Sequence, residues 1–159
     1  MMDEGWAWSD AWIFVSTVIA GKVGRHRRSP LSRRPEGVRL VDVLTTAEHL
    51  NQAIPTREEI ETGVRRLLGA GLVSVSDGWF QVTEAGEQLW RDRPRSGLTT
   101  TVDSVHGVLD QRYTTTAEAE WQLDDQDHAA AMLEYTGRFL PPTPRRSVEN
   151  SAAARQGRA

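Results

Sequence analysis

Apolar residues recur at Ile60, Val64, Leu67 and Leu68, a spacing that places them on one face of a helix. Thr56 stands where such a helix needs an N-cap, and Glu59, three residues on, completes a capping box. Gly71 supplies the stop. The pattern then changes from a helical period to strict alternation. Leu72-Val73-Ser74-Val75-Ser76 faces Trp79-Phe80-Gln81-Val82 across Asp77-Gly78, a dipeptide suited to a type I′ turn because both central positions need positive φ. A two-residue loop pairs Ser76 with Trp79, Val75 with Phe80, Ser74 with Gln81 and Val73 with Val82. Val73, Val75, Phe80 and Val82 then share one face of the hairpin, and Ser74, Ser76, Trp79 and Gln81 the other.

Around this unit the same reasoning predicts further helices. Ser9 or Asp10 can cap a first helix in which Trp12, Ile13, Phe14, Val15, Val18 and Ile19 occupy most of the circumference, so it should be covered on several sides, and Gly21 should end it. Lys22 to Gly37 lacks an apolar period and reads as an exposed loop. Leu40, Val43, Leu44, Ala47 and Leu50 mark a second helix from Leu40 to Asn51. Thr83 can cap a helix from Glu84 to about Arg93, stopped by Pro94. Val102, Val105, His106 and Leu109 mark another. Ala117, Ala119, Trp121 and Leu123 alternate with Glu118, Glu120 and Gln122 as a half-buried strand. Asp124 caps a last helix with Asp125 and Asp127 at its positive end and Ala129, Met132, Leu133, Thr136 and Leu140 as its inner face.

Charge divides the 159-residue chain unevenly. Residues 1–97 carry 13 basic and 13 acidic side chains, 98–140 carry 2 and 8, and 141–159 carry 4 and 1, for net charges of 0, −6 and +3. The middle segment would repel nucleic acid, whereas Lys22 to Arg39 holds a local excess of +6. The chain contains no cysteine, which excludes disulfides, thiol nucleophiles and cysteine-ligated zinc, and a cytoplasmic location fits. The apolar run Ala11 to Ala20 is too short to span a bilayer, so no membrane is expected. His26, His49, His106 and His128 lie in separate segments without metal-ligand spacing. No catalytic residues, metal or cofactor are therefore expected, and His106 on an apolar stripe reads as a satisfied core or interface histidine.

The order helix, helix, helix, hairpin, helix, with Thr56, Glu59, Ala70-Gly71-Leu72, Asp77-Gly78, Thr83 and Gly86, resembles the winged helix-turn-helix superfamily. The run from Asn51 to Thr56 is also similar to short bacterial winged-helix proteins without an assigned role. The expected fold is mainly α with a small β-hairpin wing. It comprises a winged-helix domain over 1–97, an acidic helix-strand-helix appendage over 98–140 packed on it, and a disordered tail over 141–159.

In that superfamily the third helix commonly enters the DNA major groove. The resemblance thus implies a DNA-binding transcriptional regulator, with Thr62, Arg65 and Arg66 projecting outward to the groove and Arg25, Arg27 and Arg28 on phosphate. A homodimer would span paired half-sites. Against it, Glu58 and Glu61 share the exposed surface of that helix, Glu61 can pair with Arg65, and the wing has no lysine or arginine. The other reading is a protein-interaction or assembly module that meets its partner through Trp79 on the wing or through the acidic appendage.

Overall fold

The computed structural model describes residues 5–27, 37–97, 100–115 and 118–139. Among these, α1 (Trp8–Arg27) is the element on which the others pack: α2 (Leu40–Asn51), α3 (Arg57–Gly69) and α5 (Thr101–Arg112) all lie against it. Every residue from Ala11 to Val18 is buried, as an apolar circumference requires. Two buried polar residues of α1 are satisfied within the helix, where Ser16 and Thr17 donate to the carbonyls of Trp12 and Ile13 at 2.7 and 2.8 Å. Neither Ser9 nor Asp10 marks the start of the helix, which begins at Trp8; Asp10 sits in the first turn and accepts from the Ala7 N–H at 2.9 Å. Gly21 does not end it. The helix runs on to Arg27, because each of its two glycines, Gly21 and Gly24, costs a helix only about 1 kcal/mol and neither forces a turn.

Local signals elsewhere hold at residue level. Thr56 Oγ1 accepts from the Glu59 N–H at 3.1 Å while Glu59 Oε1 accepts from the Thr56 N–H at 2.8 Å. At the other end of α3, Gly71 has φ +74°, and the N–H groups of Gly71 and Leu72 donate back to Leu68 and Leu67 in a Schellman arrangement. Strands β2 (Val73–Ser76) and β3 (Trp79–Val82) pair in the expected register. Asp77 and Gly78 both have positive φ. Thr83 caps α4 (Glu84–Asp92) through the Gly86 N–H. Asp124 caps α6 (Asp125–Phe139) by accepting from the N–H groups of Gln126 and Asp127.

Three features depart from the sequence pattern. A third strand, β1 (Val38–Arg39), joins the far edge of β3, giving a three-stranded antiparallel sheet in the order β1-β3-β2. Its two residues are too few to show an alternation. Residues 118–124 are extended, and the side chains of Ala119, Trp121 and Leu123 are more buried than those between them, yet they form no strand. The partner they lie against is α3, a helix, which offers no ladder. Finally, α6 packs on α2 with Ala131 buried and Met132 and Tyr135 half-buried, while Ala129 and Thr136 are exposed and Leu133 is 77% exposed. The inner face is rotated from the expected one, and in this orientation α6 also makes ion pairs: Arg138 reaches Asp42 at 3.1 Å and Glu134 reaches Arg39 at 2.7 Å.

The described residues of 100–139 share the core of the described residues before them. Val102, Val105, Val108 and Leu109 of α5 join one continuous buried cluster with α1. Trp6 is held from three sides, by Asp110 Oδ1, the Tyr113 carbonyl and His106 Nε2. His106 is thus hydrogen-bonded within the fold. The expected tail over 141–159 lies outside the described residues. No helix among the described residues is long and apolar enough to cross a membrane.

Candidate functional site

The capping box starts α3 at Arg57, and a charged row on that helix follows from the start point: Arg57, Glu61 and Arg65 stand four residues apart and therefore lie above one another. Glu61 pairs with both arginines, at 3.9 and 3.8 Å. The row is only partly open to solvent. The extended residues 118–124 cross it, and α3 supplies through side chains the hydrogen bonds that a neighbouring strand would have supplied through its backbone. Arg57 Nη2 donates to the Leu123 carbonyl, Arg65 Nε donates to the Trp121 carbonyl, and Glu61 Oε2 accepts from the Leu123 N–H at 2.7 Å. The Ala119 N–H donates to the Arg65 carbonyl at 3.1 Å. Asp125, the first residue of α6, closes the arrangement on Arg57 at 2.7 Å.

Arg66 departs from its expected outward projection. Its guanidinium turns inward to Asp10 at 2.9 Å, with side-chain exposures of 10% and 1% for the two residues. The approach is possible because Gly63 leaves room: a Cβ there would stand 2.8 Å from Ile13 Cδ1 and 3.2 Å from Asp10 Oδ1. Of the residues expected to meet DNA, Arg65 and Arg66 are thus both bound to other parts of the chain, and Thr62 is half-buried between them and the helix start. Arg25 and Arg27 fall in the last turns of α1, where only the backbone is described, and Arg28 lies outside the described residues.

Trp79 does occupy a site. A groove of about 420 Å³ opens between the hairpin, residues 121–124 and the first half of α6. Its apolar wall is formed by Val75, Trp79, Phe80, Trp121 and Leu123, with Ala130 and Ala131 opposite. Phe80 and Trp121 meet edge to face, with ring centroids 6.0 Å apart. The rim carries four carboxylates, Asp77, Asp124, Asp127 and Glu134, against one cation, Arg39. Arg39 is itself neutralised, since its two terminal nitrogens grip both oxygens of Glu134 at 3.2 and 2.7 Å. That hydrogen bond, reinforced by the charges of Arg39 and Arg138, holds the Glu134 carboxyl below the usual carboxylate range despite partial burial. The groove is therefore aromatic inside and acidic outside.

Trp121, Asp127, Arg39 and Glu134 were not among the expected site residues. The alternation from Ala117 to Leu123 carried the signal for Trp121, but not the element it packs against. Among the described residues no three histidine, aspartate or glutamate side chains gather as a metal would need. Comparison of the chain with protein-family models, curated proteins and solved structures returns no match.

Proposed function

We propose that this chain is a winged helix-turn-helix protein that works as a protein-interaction or assembly module, with the groove beside Trp79 as its contact surface. One observation carries this reading: residues 118–124 of the same chain bond to Arg57, Glu61 and Arg65 along one flank of α3, which withdraws Arg65 from the face a DNA-reading winged helix lays in the major groove. A recognition helix must present its side chains to base edges directly. Here Arg65 is engaged with Trp121, and Arg66 is needed to neutralise a buried carboxylate. Uncovering the row would also expose Leu123, which is 4% exposed, and break the contact of Trp121 with Phe80. The hairpin adds no cation at its tip, and the groove next to it is acidic, a surface that repels a duplex and suits a basic protein segment.

The regulator reading places Thr62, Arg65 and Arg66 in the groove and Arg25, Arg27 and Arg28 on phosphate, and the two readings differ in a simple assay. Gel shifts on fragmented genomic DNA at roughly 50 mM salt should show no complex at micromolar protein. A complex whose affinity falls with a log-log salt slope near −4 to −5, and which Arg65→Ala abolishes, would overturn the proposal in favour of the regulator. On the interaction reading Trp79→Ala is the change that loses the partner while melting stays close to that of the parent chain.

A further inference from the structure

We infer that the groove beside Trp79 is the docking site of this chain's own segment Pro141-Pro142-Thr143-Pro144-Arg145-Arg146, laid back along α6. The inference rests on the reading of the groove as a peptide-contact surface and names its occupant. Three properties of that sequence match the groove. Prolines at 141, 142 and 144 favour the extended polyproline II conformation, which is already ordered and which aromatic-lined grooves recognise through the ridges between proline rings. Trp79, Trp121 and Phe80 provide such a floor. The two arginines that follow are the complement of a rim that holds Asp77, Asp124 and Asp127 without a cation of their own among the groove residues other than Arg39, which Glu134 already satisfies.

Reach is the third property. From Phe139 back to Asp127 along α6 is twelve residues, or about 18 Å at the helical rise. Residues 140–146 in polyproline II span about 22 Å, enough to reverse direction and bring Arg145 and Arg146 level with Asp127 and Asp124. The basic segment at 141–159 and the acidic groove therefore neutralise each other within one chain.

The absence of cysteine makes the test direct. Asp127→Cys with Arg146→Cys is introduced into the full chain, and the disulfide is equilibrated against a glutathione buffer. Docking predicts an intramolecular bond with an effective concentration about tenfold above that of the same chain carrying Arg145→Glu and Pro144→Gly, changes that alter the segment and leave the groove intact. Trp79→Ala should lower it similarly. Equal values in the altered and parent segments would mean tethering alone and would overturn the inference. Disulfide-linked dimers in place of closed monomers would assign the occupant to a second copy and overturn it too. A synthetic peptide of residues 139–149, added to the full chain bearing Arg145→Glu and Arg146→Glu, separates the two readings. If the peptide shifts the Trp79 and Trp121 indole signals while the disulfide test fails, the groove takes this sequence only from a separate chain, so the intramolecular inference falls and the contact-surface reading stands. If neither responds, both readings fail.

Discussion

Single residues in this protein are constrained chiefly by what lies across from them, and Arg66 is the sharpest case. Its position on a helical wheel makes it a surface residue; its partner, Asp10, makes it part of the interior. Removing one member of a buried ion pair leaves the other charge uncompensated, so Arg66→Ala should destabilise the protein by about 3 to 5 kcal/mol in chemical denaturation. That is comparable with the about 2 to 5 kcal/mol expected for Leu67→Ala or Phe80→Ala, which remove buried apolar groups. Arg65→Ala, at a side chain 32% exposed, should cost nearer 1 kcal/mol. Outward projection of both arginines would make their removal harmless to stability; the contacts of Arg66 and Arg65 make the two costs unequal. Gly86 is constrained by contact as well. A Cβ there would stand 2.2 Å from the Leu72 carbonyl oxygen and 2.6 Å from Val82 Cγ1, so Gly86→Ala must push α4 off the hairpin and should cost at least about 1 to 3 kcal/mol of stability.

At the scale of elements, the decisive pairing is between α3 and residues 118–124, a helix and an extended segment joined mostly through side chains. Glu61 is the hub of that joint, as it accepts from the Leu123 N–H and pairs with Arg57 and Arg65. Glu61→Ala should therefore release the segment while α3 stays folded. Cleavage after Glu118 or Glu120 by a glutamate-specific protease should accelerate by about tenfold, the equivalent of a hydrogen bond or two, and amide exchange at Ala119 and Leu123 should rise with it. Unchanged cleavage would show that Leu123 and Trp121 alone hold the segment. The other joint, between α6 and β1, is electrostatic and pH-dependent. Because Arg39 lowers the folded-state pKa of Glu134, the pair contributes stability fully above the ordinary carboxylate range, and that contribution is lost as pH falls below it through the lower folded value. The stability gap between the parent chain and Glu134→Gln should be about 0.2 to 1 kcal/mol near neutrality, as for exposed pairs, and should close in acid.

At the scale of the whole molecule, the described residues share one core. Trp8 donates to Asp103 at 2.7 Å, His106 and Asp110 hold Trp6, and α5 buries Val102, Val105, Val108 and Leu109 against α1. The division at residue 97 that composition indicates is thus a division of charge, with hydrophobic packing continuous across it. A chain cut to residues 1–97 leaves α1 uncovered on its α5 side and should show no cooperative melting transition, whereas the full chain should melt in a single step by calorimetry and by tryptophan fluorescence alike.

By itself the sequence determined whatever depends on residues close along the chain. The Thr56 capping box, the Asp77-Gly78 turn with its register, the stop at Gly71 and the caps at Thr83 and Asp124 are set by backbone donors a few residues away, and these interactions are the same in any tertiary context. The sequence also showed that α1 would be covered on several sides, since no exposed helix carries apolar residues around most of its circumference. Only the tertiary structure decided what lies across from each face. Burial of Ala119, Trp121 and Leu123 is compatible with a strand or with a segment against a helix, and alternation does not distinguish the two. A helical wheel gives the direction of Arg66 but not the buried carboxylate at the end of it, because Asp10 is 56 residues away. The groove beside Trp79 arises in the same way, where hairpin, segment and helix from distant parts of the chain meet, and its aromatic floor and acidic rim exist only once they do.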